Sequence, residues 1–231
     1  MKKILLLFFA LLVIACAKKE KDLIVRANIK GLKKGTVYLK KIEDTLIKTM
    51  DSVAINGEHL IELESDLDSP EIFFLYLDKK STEKDRIKFF ADKGITEINT
   101  SLKNFVFDAK INGSKQQKLL EDYQTMISKM NNRSLDLIKE QFEAQKNGDT
   151  IKLDSLNKQA DAYLKRKYLY TVNFALKNKD SEIAPYLALA EIYNAQIKFL
   201  DTINNSLTPE IKASKYGKEL NDFIKKIKEA E

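Results

Sequence analysis

The spacing of apolar residues changes once along the chain, and this change constrains the fold more than any other feature. In the first part apolar and polar residues alternate, as in Leu23, Val25, Ala27 and Ile29, which is the period of a half-buried strand. From Ser114 onward apolar residues recur every three or four positions, which is the period of an amphipathic helix. Strands followed by helices predict an α+β protein.

The β segment is predicted over residues 23–112. Asn56-Gly57 lies between two apolar stretches and is typical of a tight β-hairpin. Residues 72–77 are continuously apolar, as expected of a central strand that is covered on both faces. Eight short strands, at 23–30, 36–40, 52–55, 60–63, 72–77, 86–91, 95–99 and 102–111, favour an antiparallel β-sandwich or an open barrel.

The helical segment is predicted over residues 113–231 as four mostly antiparallel helices. The first begins at Ser114 and stops at Asn147-Gly148, and the second restarts at Asp149-Thr150. A third, over residues 181–204, carries apolar residues on more than one side, so we expect it to be the most buried. The last begins at Thr208-Pro209, an N-cap with a first-turn proline.

The N-terminus predicts export and lipidation. Lys2 and Lys3 precede an unbroken apolar run of 11 residues, 4–14, too short for the roughly 20 residues of a membrane-spanning helix but typical of a signal peptide. The run ends in Val13-Ile14-Ala15-Cys16, which resembles a lipobox and contains the only cysteine of the chain. A plain secretory signal with a chance cysteine, or a membrane anchor, are the alternatives.

We therefore expect residues 1–15 to be a lipoprotein signal peptide, cleaved between Ala15 and Cys16. Residues 16–22 would be the lipidated cysteine and a polar tether, and several acyl chains on Cys16 would anchor the protein to the membrane. No aspartate follows Cys16 directly, which favours the outer membrane of the cell envelope over the inner one. The sequence leaves open whether the body faces the periplasm or the cell surface.

Charge makes nucleic acid an unsuitable partner. The net charge is +6, and acidic and basic residues are interspersed along the chain. A surface that binds along a nucleic-acid backbone would need blocks of basic residues interleaved with aromatic residues. The sequence contains no such block. The sequence specifies no ligand.

The β segment resembles a domain of unknown function at the N-terminus of Gram-negative redoxin-type lipoproteins, the thiol-disulfide reductases of the envelope. The resemblance rests on short stretches in a fixed order, and residues 115–231 are similar to the helical segment of the same proteins. The matching stretches are 29–32, 35–39, 50–53, 56–57, 89–98, 111–114 and, in the helical part, 216–220.

Two departures limit what the resemblance implies. His59 stands where the family usually has an aromatic residue. In the fuller relatives a thioredoxin-fold domain with a Cys-x-x-Cys motif follows the helices, and this sequence ends where that domain would begin. The redox activity therefore cannot be transferred, because no thiol would remain after lipidation of Cys16.

Elimination removes the common catalytic classes, so we predict no catalytic residues, no metal and no cofactor. A zinc site needs three or four ligands, and His59 is the only histidine. We interpret His59 as a packing or edge residue and Asp51-Ser52 as a strand-edge turn, although a hydrolase using Asp51, Ser52 and His59 stays a minor alternative. No phosphate-binding glycine loop is present.

Two further groups of residues each have a structural and a functional interpretation. Asp66 and Asp68 suit a solvated loop better than a calcium site. Four tyrosines could line a groove for a peptide or glycan, but core and interface packing is the favoured interpretation; they are Tyr163, Tyr168, Tyr170 and Tyr193.

The sequence thus predicts a non-enzymatic binding or interaction module, anchored at the outer membrane. The alternative is an accessory subunit of an envelope thiol-disulfide system, acting with a separately encoded thioredoxin-like partner.

Overall fold

The computed structural model describes residues 21–43, 46–57, 60–78 and 85–230. In these residues eight strands precede six helices, so the predicted α+β class is confirmed. The strands are β1 (Leu23–Lys30), β2 (Lys34–Glu43), β3 (Leu46–Asn56), β4 (Leu60–Ser65), β5 (Glu71–Tyr76), β6 (Arg86–Ala91), β7 (Gly94–Ser101) and β8 (Lys110–Asn112). The helices are α1 (Lys115–Lys146), α2 (Thr150–Lys177), α3 (Ile183–Glu191), α4 (Ile197–Ser206), α5 (Pro209–Ala213) and α6 (Lys215–Ala230).

The strands form two four-stranded sheets, which are not closed into a barrel. Their orders are β4-β1-β7-β8 and β3-β2-β5-β6. Inward-facing side chains of both sheets, such as Val25, Leu39 and Phe89, share one buried cluster, so the sheets pack face to face. The ladders are antiparallel except that between β1 and β7, which is parallel; the expectation of a purely antiparallel arrangement is wrong for this pair.

The β3-β2-β5-β6 sheet is covered on both faces. Its outer side chains, including Ile72, Phe74 and Phe90, pack against Tyr123 of α1 and Leu187 of α3. The helices thus form a third layer over this sheet. All six residues of β5 are buried, which confirms the central strand predicted from the apolar run at 72–77.

Two details of the predicted β segment are wrong. Asn56 ends β3 and Gly57 has a positive φ of 89°, but β3 and β4 belong to different sheets and do not pair as a hairpin. The strand predicted at 102–111 is a turn up to residue 108, and only β8 pairs. Phe105 enters the core and interrupts the alternation there.

The first two helices begin where their caps predict. The Ser114 side chain accepts the backbone N–H of Gln117 at 2.9 Å, and Asp149 accepts that of Lys152 at 2.9 Å. Gln141 contacts Asn157 and Asn131 contacts Lys167. A later residue of α1 thus contacts an earlier residue of α2, so the two helices run antiparallel, as predicted.

The prediction of four helices is not confirmed, because two of them are interrupted. Residues 192–196 separate α3 from α4, and Ser214 separates α5 from α6. Ile183 and Leu187 of α3 pack on the sheet, whereas Leu200 and Ile203 of α4 pack in a separate helical cluster. Apolar residues on several sides of this segment thus serve both clusters, since Ala184 and Ala188 of α3 also pack in the helical one. The first half, α3, is deeply buried, as expected.

None of the six helices in the described residues combines the length and the hydropathy needed to span a bilayer.

Candidate functional site at the sheet–helix junction

The start of α1 is fastened to β6 by side chains of its first turn. The Ser114 hydroxyl donates to the carbonyl of Phe90 at 2.6 Å. The backbone N–H of Phe90 donates to Oε1 of Gln117 at 2.8 Å, and this bond is buried. Both backbone groups of one strand residue are therefore satisfied by the helix, which fixes the helical layer against the sheet.

Glu71, at the start of β5, is the best-buried acidic side chain of this junction. It is 5% exposed and accepts Nζ of Lys41 at 2.9 Å. Nζ of Lys215, at the start of α6, contacts the other carboxylate oxygen and also donates to the carbonyl of Ile42 at 3.2 Å. One carboxylate thus links the sheet to the last helix with two charge-assisted bonds.

The Lys41 ammonium is retained in its charged form at this site. Burial by itself would lower the pKa of Lys41, but its hydrogen bonds to Glu71 and Glu43 outweigh burial, and the pKa lies above its usual value. Lys41 is therefore a fixed positive charge and not a proton donor at neutral pH.

Tyr216 follows Lys215 and forms the aromatic part of the junction. Its hydroxyl accepts the backbone N–H of Ile72 at 2.9 Å. Its ring packs edge-on to Phe90, with centroids 5.9 Å apart, and against Tyr186 at 5.3 Å. Burial raises the pKa of the Tyr216 hydroxyl well above its usual value, so that the group stays neutral.

Two open clefts flank Lys215. The larger, of about 690 Å³, is lined mainly by charged residues, five acidic and three basic: Glu43, Asp68, Glu71, Glu182, Glu210, Lys41, Lys215 and Lys218, with Ser69, Pro70, Ala213 and Ser214. Glu71 is paired with both Lys41 and Lys215, and Glu182 accepts the amide of Gln116 at 2.8 Å. Several of the charged groups of this cleft are thus held by partners within the protein.

The smaller cleft, of about 410 Å³, has an aromatic floor and a basic rim; its lining residues are Ile42, Ile72, Phe74, Arg86, Lys88, Tyr186, Lys215, Tyr216 and Glu219. The Arg86 guanidinium lies 4.1 Å from the centroid of the Phe74 ring, and Lys88 Nζ lies 6.0 Å from that of Tyr186. An apolar surface with a few orienting polar groups is the usual composition of a binding pocket. This arrangement suits a ligand or peptide that has an apolar body and an anionic group.

Several residues singled out in the sequence lie elsewhere. Ala15, Cys16 and His59 lie outside the described residues, so the predicted lipidation site and the minor hydrolase alternative stay untested. Asp51 accepts the backbone N–H groups of Ser52 at 2.7 Å and Glu64 at 2.8 Å. It therefore ties β3 to β4. The interpretation of Asp51-Ser52 as a turn is wrong, because both residues lie inside β3.

The acidic loop and the tyrosines do not form joint sites. Asp66 is paired with Lys21 at 2.6 Å, and among the described residues no group of three or more His, Cys, Asp or Glu side chains is placed to hold a metal ion. Tyr170 stacks on Tyr123, with centroids 5.8 Å apart, while Tyr168 donates to Asn194 at 3.1 Å. Tyr163 packs with a third set of residues around Leu156, and Tyr193 is exposed.

Sequence reasoning missed the Glu71–Lys41–Lys215 cluster. In the sequence Glu71 is an acidic residue directly before an apolar run, with no other distinguishing feature. Its two partners are 30 and 144 residues away. Tyr216 stands in the matching stretch 216–220, but nothing in that stretch indicates its hydrogen bond to Ile72. No local pattern indicates these contacts, because each depends on how the helices are laid on the sheet.

The architecture defines an α+β protein with a two-sheet body and a helical layer. Residues 23–120 match the model of a domain family described as Domain of unknown function (DUF4369). The match spans β1 to β8 and the first residues of α1, and it confirms the predicted N-terminal domain of unknown function; the association with redoxins stays a prediction. No curated protein matches the chain.

Proposed function

We propose that the protein is an outer-membrane-anchored lipoprotein whose exported body is a non-enzymatic binding or interaction module. The observation that carries the proposal is the position of Cys16. The only cysteine of 231 residues stands directly after Val13-Ile14-Ala15, at the end of an 11-residue apolar run. Cleavage there would make Cys16 the first residue, and its acyl chains would hold the body at the membrane.

The smaller cleft supports the binding part of the proposal. Phe74, Tyr186 and Tyr216 offer ring surface, and Arg86 and Lys88 offer donors at its rim. The neighbouring Glu71 is paired with both Lys41 and Lys215, and this cluster contributes rigidity to the cleft. A rigid pocket binds well because little conformational freedom is lost on association.

Mass spectrometry of the N-terminal peptide tests the anchor. We expect an acylated Cys16 as the first residue, and incorporation of labelled fatty acid that is lost in Cys16→Ala. Lys19→Ala, in the predicted tether, is the matched control and should be labelled like the wild type. An unmodified terminus or an uncleaved leader would contradict the proposal.

Site-specific photo-crosslinking in whole cells tests the binding module. A photoreactive amino acid at position 88, on the rim of the smaller cleft, should give a discrete adduct in the envelope. The same group at exposed position 158, on the outer side of α2, should not. Equal adducts at both positions, or none at position 88, would argue against a binding role for this cleft.

The alternative function is that of an accessory subunit of an envelope thiol-disulfide system. It is favoured by the resemblance of the β and helical segments to the N-terminal parts of redoxin-type lipoproteins. The same crosslinking experiment separates the two functions. A thioredoxin-fold protein with a Cys-x-x-Cys motif in the position-88 adduct would support the accessory function, and an adduct without one would count against it.

A further inference from the structure

Two loops meet at the end of the sandwich where β1 finishes. They connect β1 to β2 (residues 31–33) and β7 to β8 (residues 102–109). The backbone N–H of Leu102 donates to the carbonyl of Lys30 at 2.9 Å. A Cβ atom at Gly31 would lie 3.8 Å from Cβ of Leu102, so the loops form one continuous surface.

The longer loop is ordered and holds apolar side chains in solvent. Phe105 is buried, and its carbonyl accepts the Thr100 hydroxyl at 2.7 Å. The Ser101 hydroxyl donates to Asp108 at 2.6 Å and closes the loop. On this frame Phe107 is 94% exposed, and Leu102 and Val106 are 44% and 37% exposed. Exposed apolar side chains that cluster on a fixed loop mark an interaction site.

Exposed lysines accompany these side chains on the two loops. The two loops and their adjoining strand residues carry five exposed lysines: Lys30, Lys33, Lys34, Lys103 and Lys110. Asp108 is the only acid among residues 30–34 and 101–110, and it is engaged by Ser101. We call these five lysines together with Leu102, Val106 and Phe107 the basic apolar end.

We propose that the basic apolar end is a second membrane contact, which inserts Phe107 at the surface of a bilayer containing anionic lipid. An exposed aromatic side chain among lysines is the composition of interfacial membrane-binding elements. Protein interfaces, in contrast, are depleted in lysine and favour arginine. The two loops also project from the end of the sandwich, and a projecting surface enters a headgroup layer more readily than it encloses a peptide.

The placement is compatible with an anchor on Cys16, and the choice of membrane rests on that proposed anchor. β1 has eight residues and so separates Leu23 from the basic apolar end by about 26 Å. Lys21 and Asp22 are bound to the body through Asp66 and the backbone of Leu67, so the four residues 17–20 reach at most about 14 Å. With β1 lying along the bilayer, the tether and the basic apolar end would both meet the same surface and would fix the orientation of the body.

A single-tryptophan experiment tests the contact, since the chain contains no tryptophan. Full-length, lipid-modified Phe107→Trp protein is reconstituted in vesicles of phosphatidylethanolamine and phosphatidylglycerol, or of phosphatidylcholine alone. We expect a blue-shifted emission and quenching by brominated lipid only in the anionic vesicles. Phe142→Trp, on α1 and 65% exposed, is the matched control and should stay water-exposed in both.

Lysine variants test the electrostatic part. Lys103→Gln and Lys110→Gln are each introduced into the Phe107→Trp protein. Each should reduce, by about fivefold, the ratio of molecules whose tryptophan is quenched by brominated lipid to molecules whose tryptophan is not. Unchanged emission in anionic vesicles, an equal shift of Phe142→Trp, or insensitivity to both lysine variants would overturn the proposal. Co-flotation with the vesicles reports the Cys16 anchor separately, so a failure of the anchor and a failure of this contact are distinguishable.

Discussion

The backbone N–H of Ile72 donates to the hydroxyl of Tyr216 at 2.9 Å, across 144 residues of sequence. Ile72 belongs to the central strand of the covered sheet, and Tyr216 lies in the first turn of the last helix. Both residues line the smaller cleft. A single buried hydrogen bond thus fixes the wall of the proposed binding site to the core of the protein.

Removing this acceptor should destabilise the fold. Tyr216→Phe leaves the buried N–H of Ile72 without a partner, which costs about 1–3 kcal/mol. The free energy of unfolding in urea measures the loss. Tyr186→Phe is the matched control, because the hydrogen bond that the Tyr186 hydroxyl accepts from Lys88, at 3.3 Å, is exposed. Equal stability of the two variants would show that the Ile72 bond contributes little.

Neutralising Glu71 should also loosen the junction. Glu71→Gln keeps the shape of the side chain but leaves the Lys41 ammonium, which is 12% exposed, without its main countercharge. We expect a loss of about 2 kcal/mol, measured by chemical denaturation. Glu62→Gln removes an exposed pair with Arg26 and should cost less than about 0.5 kcal/mol. An unchanged free energy of unfolding for Glu71→Gln would mean that the attraction between Glu71 and Lys41 only offsets the cost of desolvating the two charges.

The protein should lose stability at alkaline pH. Burial raises the pKa of Tyr123 and of Tyr216 above the ordinary value of 10.0. The pKa of Lys41 is also raised above 10.5, since hydrogen bonds to Glu71 and Glu43 outweigh burial. Because the folded state holds these protons more tightly than the unfolded chain, their stabilisation is complete below about pH 10 and is lost as the pH rises further.

Unfolding free energies between pH 8 and 12 measure this effect. Tyr123→Phe should flatten the decline above about pH 10, since one titrating group is removed. Tyr193→Phe, at an exposed position, should follow the wild-type curve. If the unfolding free energy of Tyr123→Phe fell with pH in parallel with that of the wild type, Tyr123 would not contribute to the alkaline loss of stability.

The joint between α5 and α6 should tolerate no side chain at Gly217. A Cβ there would lie 1.9 Å from the carbonyl oxygen of Ile211 and 2.8 Å from Cα of Lys212. Gly217→Ala should therefore cost about 3 kcal/mol by forcing the helices apart. Gly148→Ala has open space but a φ of +67° and should cost about 1 kcal/mol. Thermal or urea denaturation compares them, and a larger loss for Gly148→Ala would show that the joint can open cheaply.

Local patterns predicted much of the fold. Ser114, Asp149 and Thr208 begin helices because an N-cap acts within three residues of itself. The apolar run at 72–77 predicted a doubly covered strand because burial on both faces removes the need for alternation. The break at Ser214 has a local cause that apolar spacing does not reveal, since the Ser214 hydroxyl accepts the backbone N–H of Gly217 at 3.4 Å.

The sequence by itself determined the order of strands and helices, the position of the buried strand and the helix starts, because period and capping are local properties. Only the tertiary structure decided the parallel pairing of β1 with β7, the separation of β3 from β4 into different sheets and the Glu71–Lys41–Lys215 cluster. Each of the latter joins residues far apart in the chain, and their contact energies depend on how whole layers pack together.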